Sequence, residues 1–546
     1  MTKSGSCHTI ALPMPTVADL IVLGLRDAGA RAVFGVPGGG GNLDLIDAAG
    51  RIGLPFILTA TETGAALSAM AQAEISGRPG ACLTTLGPGA ASVTNGVACA
   101  FLDRAPLLVF TDSYAMSLRT IVEHQRLDHA ALLAGVTKWS ATLTAENAAS
   151  VLARATAAAL GPPPGPAHVD CPGDVTSVRA PEQRERVAEL NGSSSPRPDR
   201  GRFRELFQAA RRPLLLVGLG ARRPEDAVAV RAFCERHRTP ALVTYKAKGV
   251  VPDDHPWFAG VFTNGAIERP VIDESDLLIG IGLDPVELLP RPWTHRQPVI
   301  ACGPWPVADT HVPFTAQHVS DIGSALSALQ SQGARSEWAA DAVGRHVAEQ
   351  RQRINVATGG LSAQRVVQIA AARLAAEARV TVDAGAHMFA ATAYWPVRAP
   401  NDMLISNGLS TMGFALPAAI GAAALDRDRP VVALTGDGGL LMCLGELLTA
   451  ARERLNIITI VFSDTSLSLI EIKQQARRLK AAGVALGDVR WPALAEALGV
   501  AGFAAGTEDG LGRAIEQAIE CRGPSLIEAR IDRSNYGETL RVIRGA

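Results

Sequence analysis

Short apolar runs of strand length, each closing on Gly, Pro, Thr or Asp, recur along this chain and alternate with Ala-rich stretches of helical period. In the first third they read RAVFGVPG, PFILTAT, GACLTTLGPG, APLLVFTDS and GPAHVDCP; in the middle, RPLLLVGLGA, TPALVTYKAKG, SDLLIGIGLD and QPVIACG; in the last, ARVTVDAGAH, RPVVALTGDGG, LNIITIVFSD and PSLIEARI. None alternates apolar with polar residues as a half-exposed strand would. Runs of this kind suit parallel strands covered by helices on both faces. The expected fold class is α/β: three consecutive doubly wound domains with parallel sheets, binding ligands beyond the carboxyl ends of the strands.

Two stretches interrupt the alternation. Val178 to Arg202 is Ser/Pro-rich and reads as a linker; Ser331 to Gly360 is polar and charged and reads as a surface helix leading into the next domain. They divide the chain into residues 1–180, 200–335 and 360–546, each long enough for its own core. The first and last blocks look like variants of one architecture. Charge and composition exclude several classes of function. The 52 Lys+Arg and 53 Asp+Glu leave a net charge of −1 with no block of like charge, which argues against nucleic acid or an anionic membrane as partner. No run approaches the roughly 20 apolar residues of a membrane span, and Met1 to Met14 lack a basic start followed by an apolar core, so a cytoplasmic location is expected. The 8 cysteines stand singly, without CxxC or Cys/His clusters, and buried reduced thiols are expected in place of disulfides or a zinc site.

The densest chemical signal lies between Pro430 and Gln474. Val431 to Thr435 reads as a strand, Gly436-Asp437-Gly438-Gly439 as a tight turn, Leu440 to Arg454 as a helix and Asn456 to Phe462 as the next strand. A right-handed crossover makes these strands parallel neighbours and sets Asp437 and Asp464 side by side past their ends. Two carboxylates that close repel unless they share a cation, and hard oxygen ligands suit Mg²⁺ or Ca²⁺. The glycines let backbone approach a ligand, and the helix start offers free N–H groups to an anion such as a diphosphate. A metal-bridged diphosphate site is implied.

With these residues the chain resembles the thiamine diphosphate enzymes of the acetolactate synthase and pyruvate decarboxylase superfamily. Their signature is GDG followed, after a gap of about this length, by Asn-Asn; Ser463-Asp464 stands at that pair, and the FAD-independent catabolic acetolactate synthases look similar in having Asp there. The resemblance makes Asp437, Asp464 and the carbonyl of Ser466 ligands of a Mg²⁺ ion, with Gly438 and Gly439 against the cofactor. ISNGLSTMGFALPAAIGAA resembles the segment that props the cofactor, with Met412 as an apolar wedge and the backbone of Ser410 and Met412 meeting the aminopyrimidine. DAGAHMF occupies the place of the diphosphate-contacting Gly-Gln-His-Gln stretch, making Gly385, Ala386 and His387 candidates there.

In the first block, the stretch from Pro55 to Pro106 resembles the pyrimidine-binding domain. Glu62 falls where a strand gives way to a helix, and the resemblance makes it the catalytic glutamate that hydrogen-bonds N1′ of the aminopyrimidine; a buried carboxyl of raised pKa suits that proton sharing. EHQRLDHAALLAGVTKWSATL resembles the segment that carries the synthases' active-site glutamine, placing Gln125, with His124 and His129 beside it as possible proton relays. At the first active-site loop, where some decarboxylases carry Ser or His, this chain has Gly39 and Gly40. Leu469 and Ile470 fall where the family lines the acceptor pocket; Glu471 stands one residue past a decarboxylase glutamate, and Lys473 replaces the Trp with which anabolic synthases select a larger second substrate. In the middle block, Gly218-Leu219-Gly220 with Arg222 could cradle a nucleotide phosphate, though no bound nucleotide is the default expectation.

The resemblance implies decarboxylation of a pyruvate-like 2-oxo acid followed by carboligation to a second carbonyl, in a homodimer or dimer of dimers with the cofactor between subunits. The alternatives are a non-ligating 2-oxo acid decarboxylase or 2-hydroxyacyl lyase of the same superfamily, and a non-catalytic protein of the same fold. A nicotinamide dehydrogenase is disfavoured, since no GxGxxG with a following acid is present.

Overall fold

The computed structural model describes residues 15–180, 200–330 and 336–545. The readings placed on Met1 to Met14, on Cys7, on most of the Ser/Pro-rich linker and on Ser331 to Arg335 lie outside the described residues. Three domains follow one another, each a six-stranded parallel sheet flanked by helices.

The first sheet comprises β1 (Val33–Val36), β2 (Phe56–Leu58), β3 (Gly80–Thr84), β4 (Leu107–Ser113), β5 (Trp139–Thr142) and β6 (Ala167–Pro172), in the order β2-β1-β3-β4-β6-β5. The second comprises β7 (Pro213–Val217), β8 (Ala241–Val243), β9 (Phe258–Val261), β10 (Leu277–Ile281), β11 (Val299–Gly303) and β12 (Phe314–Val319), ordered β12-β11-β10-β7-β8-β9. The third comprises β13 (Arg379–Val382), β14 (Met403–Ile405), β15 (Val431–Gly436), β16 (Ile457–Ser463), β17 (Ala501–Ala505) and β18 (Ser525–Arg530), ordered β14-β13-β15-β16-β18-β17. Counted within each domain, the first and third sheets share one strand order and the middle one differs, which is the kinship the sequence suggests. Central strands such as β3 and β16 are buried along their whole length, as runs without polar alternation require.

Several expectations need correction. β5, β9, β12, β14 and β17 were not anticipated. The linker reading overran at both ends: Val178 accepts a hydrogen bond from Val17 N–H and Ala180 donates to Pro15, while a helix has begun at Arg200. Cys521 ends the helix Glu508–Cys521 and is exposed, unlike the buried Cys82, Cys99, Cys171, Cys234, Cys302 and Cys443. The polar stretch after residue 335 does carry a helix, Ala340–Ile354, preceded by Trp338, whose indole N–H donates to the Pro213 carbonyl at 2.9 Å.

The first and third domains share one core. The helix Glu62–Ser76 begins with Thr61, whose side chain accepts from Gly64 N–H at 2.9 Å, and ends at Gly77 in the left-handed conformation. It packs on the helix Ala415–Leu425 so closely that a Cβ on Gly421 would lie 2.1 Å from the Ser68 carbonyl oxygen; the Ser68 hydroxyl donates to Pro417 at 2.8 Å. A buried ion cluster ties in the middle domain. Lys246 lies 2.6 Å from Glu74 and 3.2 Å from Asp103, Arg222 lies 3.1 Å from Glu74, and Lys246 also donates to the Ile405 carbonyl. Asp103 in turn accepts from Gly408 N–H at 2.7 Å, so three domains meet on six residues.

Candidate active site

β15 and β16 pair with Gly436 opposite Phe462, so Asp437 and Asp464 emerge together from adjacent strand ends. The expected tight turn is absent: the helix starts at Asp437 itself, stops at Met442 and resumes at Glu446–Arg452. The break has a use. Gly445 sits against Ala60, where a Cβ would come within 2.8 Å of the alanine methyl, and Glu446 reaches across to the first domain.

Asp437 accepts from Gly438 N–H at 2.8 Å, Asp464 N–H at 3.1 Å and Thr465 N–H at 2.6 Å. Asp464 accepts from Ser466 N–H at 3.0 Å and the Ser468 hydroxyl at 2.7 Å. Burial raises the pKa of both carboxyls, and the like charge of Asp437 adds to the rise that brings Asp464 to about 6. Leu467 N–H pairs with Val484 and Leu486 N–H with the Thr465 carbonyl, which leaves the Ser466 carbonyl outside that bridge. Among the described residues no group of three or more His, Cys, Asp or Glu side chains is placed to hold a metal. Two carboxylates and a carbonyl form a hard oxygen set whose mutual repulsion a divalent cation would relieve.

These residues open onto a cavity of about 560 Å³. Gly385, Ala386, His387, Ser410, Met412, Gly438, Gly439, Ser466, Leu469, Ile470 and Lys473 all line it. His387 stacks on Phe462 with ring centroids 5.0 Å apart, its Nε2 is buried without a partner, and burial pushes its pKa down to about 4. Gly438 leaves no room for a side chain: a Cβ would lie 2.6 Å from Leu467 and 3.4 Å from the Met412 methyl. An unsatisfied nitrogen, bare backbone and paired carboxylates around one cavity fit a phosphorylated cofactor held through a metal ion.

Asp383 was missed in the sequence. Fully buried at the end of β13, it accepts from Ala384 N–H at 2.8 Å, Gly413 N–H at 3.1 Å, Phe414 N–H at 3.3 Å and the Thr435 hydroxyl at 2.9 Å. One carboxylate thus fixes the His387, Met412 and Asp437 segments against each other. Burial pushes its pKa up to about 6. Its only sequence signal is an acid at a strand end just ahead of small residues. Glu471, by contrast, faces away from chemistry: it accepts from the Ser466 hydroxyl and pairs with Arg533, which together hold its pKa low.

Glu62 and Gln125 do not join this cavity within one chain. Glu62 is half-buried in the first turn of its helix, against Gly89, where a Cβ would lie 3.2 Å from Oε1. The turn before it is held by the missed Glu446, which accepts from Ala60 N–H at 3.2 Å and Thr61 N–H at 3.1 Å. Gln125 is exposed, with φ of 55°, and lines a second cavity of about 470 Å³ with Arg119 and Asp170. His129 is buried: Nε2 accepts from Gly87 N–H at 3.1 Å, so the neutral ring carries its proton on Nδ1 and donates it to Asp170. His124 is exposed. Gly40 donates to Asp112, whose carboxylate a Cβ on Gly40 would approach to 2.6 Å. In the middle domain, Gly218 N–H donates to Ile281, Leu219 N–H to Glu287 and Gly220 N–H to Gly282, while Arg222 pairs with Glu74; the groups of the candidate phosphate cradle are thus engaged within the chain.

Residues 15–132 match the N-terminal TPP binding domain of thiamine pyrophosphate enzymes, residues 202–329 their central domain and residues 383–529 their C-terminal TPP binding domain. The chain is 31% identical to "Acetolactate synthase, catabolic" of Raoultella terrigena over 94% of its own length and 95% of that protein's. It is 28% identical to "Acetolactate synthase" of Bacillus subtilis over 95% and 93% of the two chains. It is 30% identical to "Probable 2-ketoarginine decarboxylase AruI" of Pseudomonas aeruginosa over 94% of each.

Proposed function

This chain belongs to the thiamine pyrophosphate enzyme family, and from that premise we propose that it decarboxylates a pyruvate-like 2-oxo acid and joins the remaining carbon unit to a second carbonyl. The observation that carries the reading is the convergence of Asp437, Asp464, Ser466, His387 and Met412 on one cavity beyond the ends of β13, β15 and β16.

When bound, thiamine diphosphate supplies a nucleophilic thiazolium carbon and a ring that takes up the electrons released with carbon dioxide. The Asp437 and Asp464 carboxylates and the Ser466 carbonyl would hold Mg²⁺, and through it the diphosphate. Gly438, Gly439 and the Gly385-Ala386-His387 turn would meet the phosphate oxygens. Met412 would pack against the cofactor, the backbone of Ser410 and Met412 would hydrogen-bond its pyrimidine, and Leu469 would keep water from the reacting carbon. Glu62 would hold a proton at N1′, with Gln125 nearby. The first domain is accordingly assigned to the pyrimidine and the third to the diphosphate.

Glu62 and Gln125 lie outside the cavity of their own chain, which supports a homodimer, or a dimer of dimers, in which a second copy brings them to it. Exposed Leu441, Met442 and Leu448, around the helix break beside Ala60, offer apolar surface for that contact. Similarity to acetolactate synthases and the absence of a protonating side chain at Gly39-Gly40 favour ligation. The similarity to the Pseudomonas aeruginosa decarboxylase supports a second reading, decarboxylation without ligation. Incubation with thiamine diphosphate, Mg²⁺ and a panel of 2-oxo acids, with carbon dioxide and products followed by mass spectrometry, separates them: a 2-hydroxy-3-oxo acid supports the first reading and an aldehyde alone the second.

A further inference from the structure

The cavity that gathers the two aspartates also carries positive charge that no carboxylate among the described residues neutralises. Arg544, at the end of the helix Tyr536–Arg544, and Lys473, on the helix Ser468–Ala476, both line it. The Arg544 guanidinium lies 5.2 Å from the centroid of the Phe389 ring, and its Nε is buried without a hydrogen-bond partner. Lys473 is exposed at the cavity, and neither cation has an ion pair among the described residues. A third cation stands close by: Arg291 donates to the Arg544 carbonyl, and burial together with repulsion from Arg291 lowers the Arg544 pKa.

The acids of the neighbourhood are engaged elsewhere. Glu287 accepts from Leu219 N–H at 2.8 Å and from the Thr244 hydroxyl at 2.5 Å, and burial pushes its pKa up to about 8. Glu268 accepts through Oε1 from Thr263 N–H at 2.8 Å and Gly265 N–H at 2.6 Å, its Oε2 is buried without a partner, and burial raises its pKa. Asp437 accepts from Gly438, Asp464 and Thr465 N–H, and Asp464 from Ser466 N–H and the Ser468 hydroxyl. A half-buried guanidinium left in this state is costly, and an anion brought in from outside compensates it.

That anion is not the carboxylate the reaction expels. An ion pair to a leaving carboxylate would stabilise it in the ground state and oppose loss of carbon dioxide. We propose that Arg544, assisted by Lys473, receives a carboxylate that survives the reaction, and that the cavity disfavours 2-oxo acids ending in a guanidinium or ammonium group. This inference rests on the 2-oxo acid reading of the site and narrows its substrate class. The surviving carboxylate is that of the second 2-oxo acid or the distal carboxylate of a 2-oxo dicarboxylic donor. A planar guanidinium can grip either one through two parallel hydrogen bonds.

Two measurements test it. Calorimetric titration of the protein with glutarate, in the absence of thiamine diphosphate, should give a Kd raised about 10- to 100-fold by Arg544→Gln and partly restored by Arg544→Lys, with an unshifted thermal midpoint. Lys473→Gln, an exposed substitution, should raise it about 3-fold. Unchanged glutarate affinity in both variants, or a loss matched by a fall in thermal midpoint and not relieved by Arg544→Lys, overturns the proposal. In the loaded enzyme, KM is compared for pyruvate and an aldehyde as acceptors and for 2-oxoglutarate as donor. A rise in Arg544→Gln larger for pyruvate than for the aldehyde assigns the carboxylate to the acceptor, and a rise confined to 2-oxoglutarate assigns it to the donor. Equal rises for all three overturn the proposal. Absence of carbon dioxide from every 2-oxo acid defeats the underlying function instead and leaves the glutarate result readable.

Discussion

Glu62 shows how much of a site can depend on residues that never touch the reacting atoms. Its helix is fixed at the start by Thr61, and Thr61 by Glu446 from another domain, so the carboxylate arrives on a rigid mount. Glu62→Gln should lower turnover by about 10²- to 10⁴-fold while the thermal midpoint and thiamine diphosphate affinity stay close to wild type, measured by single-turnover assay and calorimetry. Asp464→Asn removes one charge from a pair that Asp437 and burial already strain. The Mg²⁺ concentration for half-maximal activation should rise about 10-fold; an unchanged value would remove Asp464 from the ligand set. The aspartate pair was legible in sequence because strand, helix and strand forced it together. Asp383 and Glu446 were not, because the partners that give them their roles, Gly413, Phe414 and Thr435 for the one and Ala60 and Thr61 for the other, lie far away along the chain, and no local pattern records such bonds.

At the scale of elements, the helices Glu62–Ser76 and Ala415–Leu425 approach at a glycine. Gly421→Val should destabilise the protein by about 1–3 kcal/mol, seen in denaturant unfolding, because a side chain there meets the Ser68 carbonyl and not a yielding methyl. The same scale explains which strands could be read. Every strand anticipated as a continuous apolar run lies inside its sheet, apart from the edge strand β2. Each of the five missed strands is at a sheet edge. β5 is half-exposed throughout and β12 nearly so, so both carry polar residues. The helix break at Cys443–Gly445 escaped notice because the residue packed against it, Ala60, lies in a different domain.

For the whole molecule, burial sets both a weak point and an acid limit. Lys246→Met would leave Glu74 and Asp103 buried without their shared cation, at a cost of about 3–5 kcal/mol, readable as a lower thermal midpoint. His168 is buried between the Thr111 and Ser140 hydroxyls, each 2.7 Å from a ring nitrogen, and burial depresses its pKa to about 4. Above about pH 6.5 the ring is neutral whether folded or not and nothing is lost. As pH falls from there toward 4, only the unfolded chain takes up the proton, and stability drops by on the order of 3 kcal/mol. His168→Gln should flatten that limb of a stability-versus-pH curve, whatever it does at neutral pH.

The ion cluster has a last consequence. Glu74 and Asp103 belong to the first sheet's domain, Lys246 and Arg222 to the second, and the Ile405 and Gly408 backbone to the third, and all are joined by non-covalent bonds in a dry junction. A chain severed between residues 180 and 200 should therefore reassemble. Co-expressed halves should copurify and unfold as one unit, whereas Lys246→Met halves, still joined by the core that the first and third domains share, should unfold at a lower midpoint.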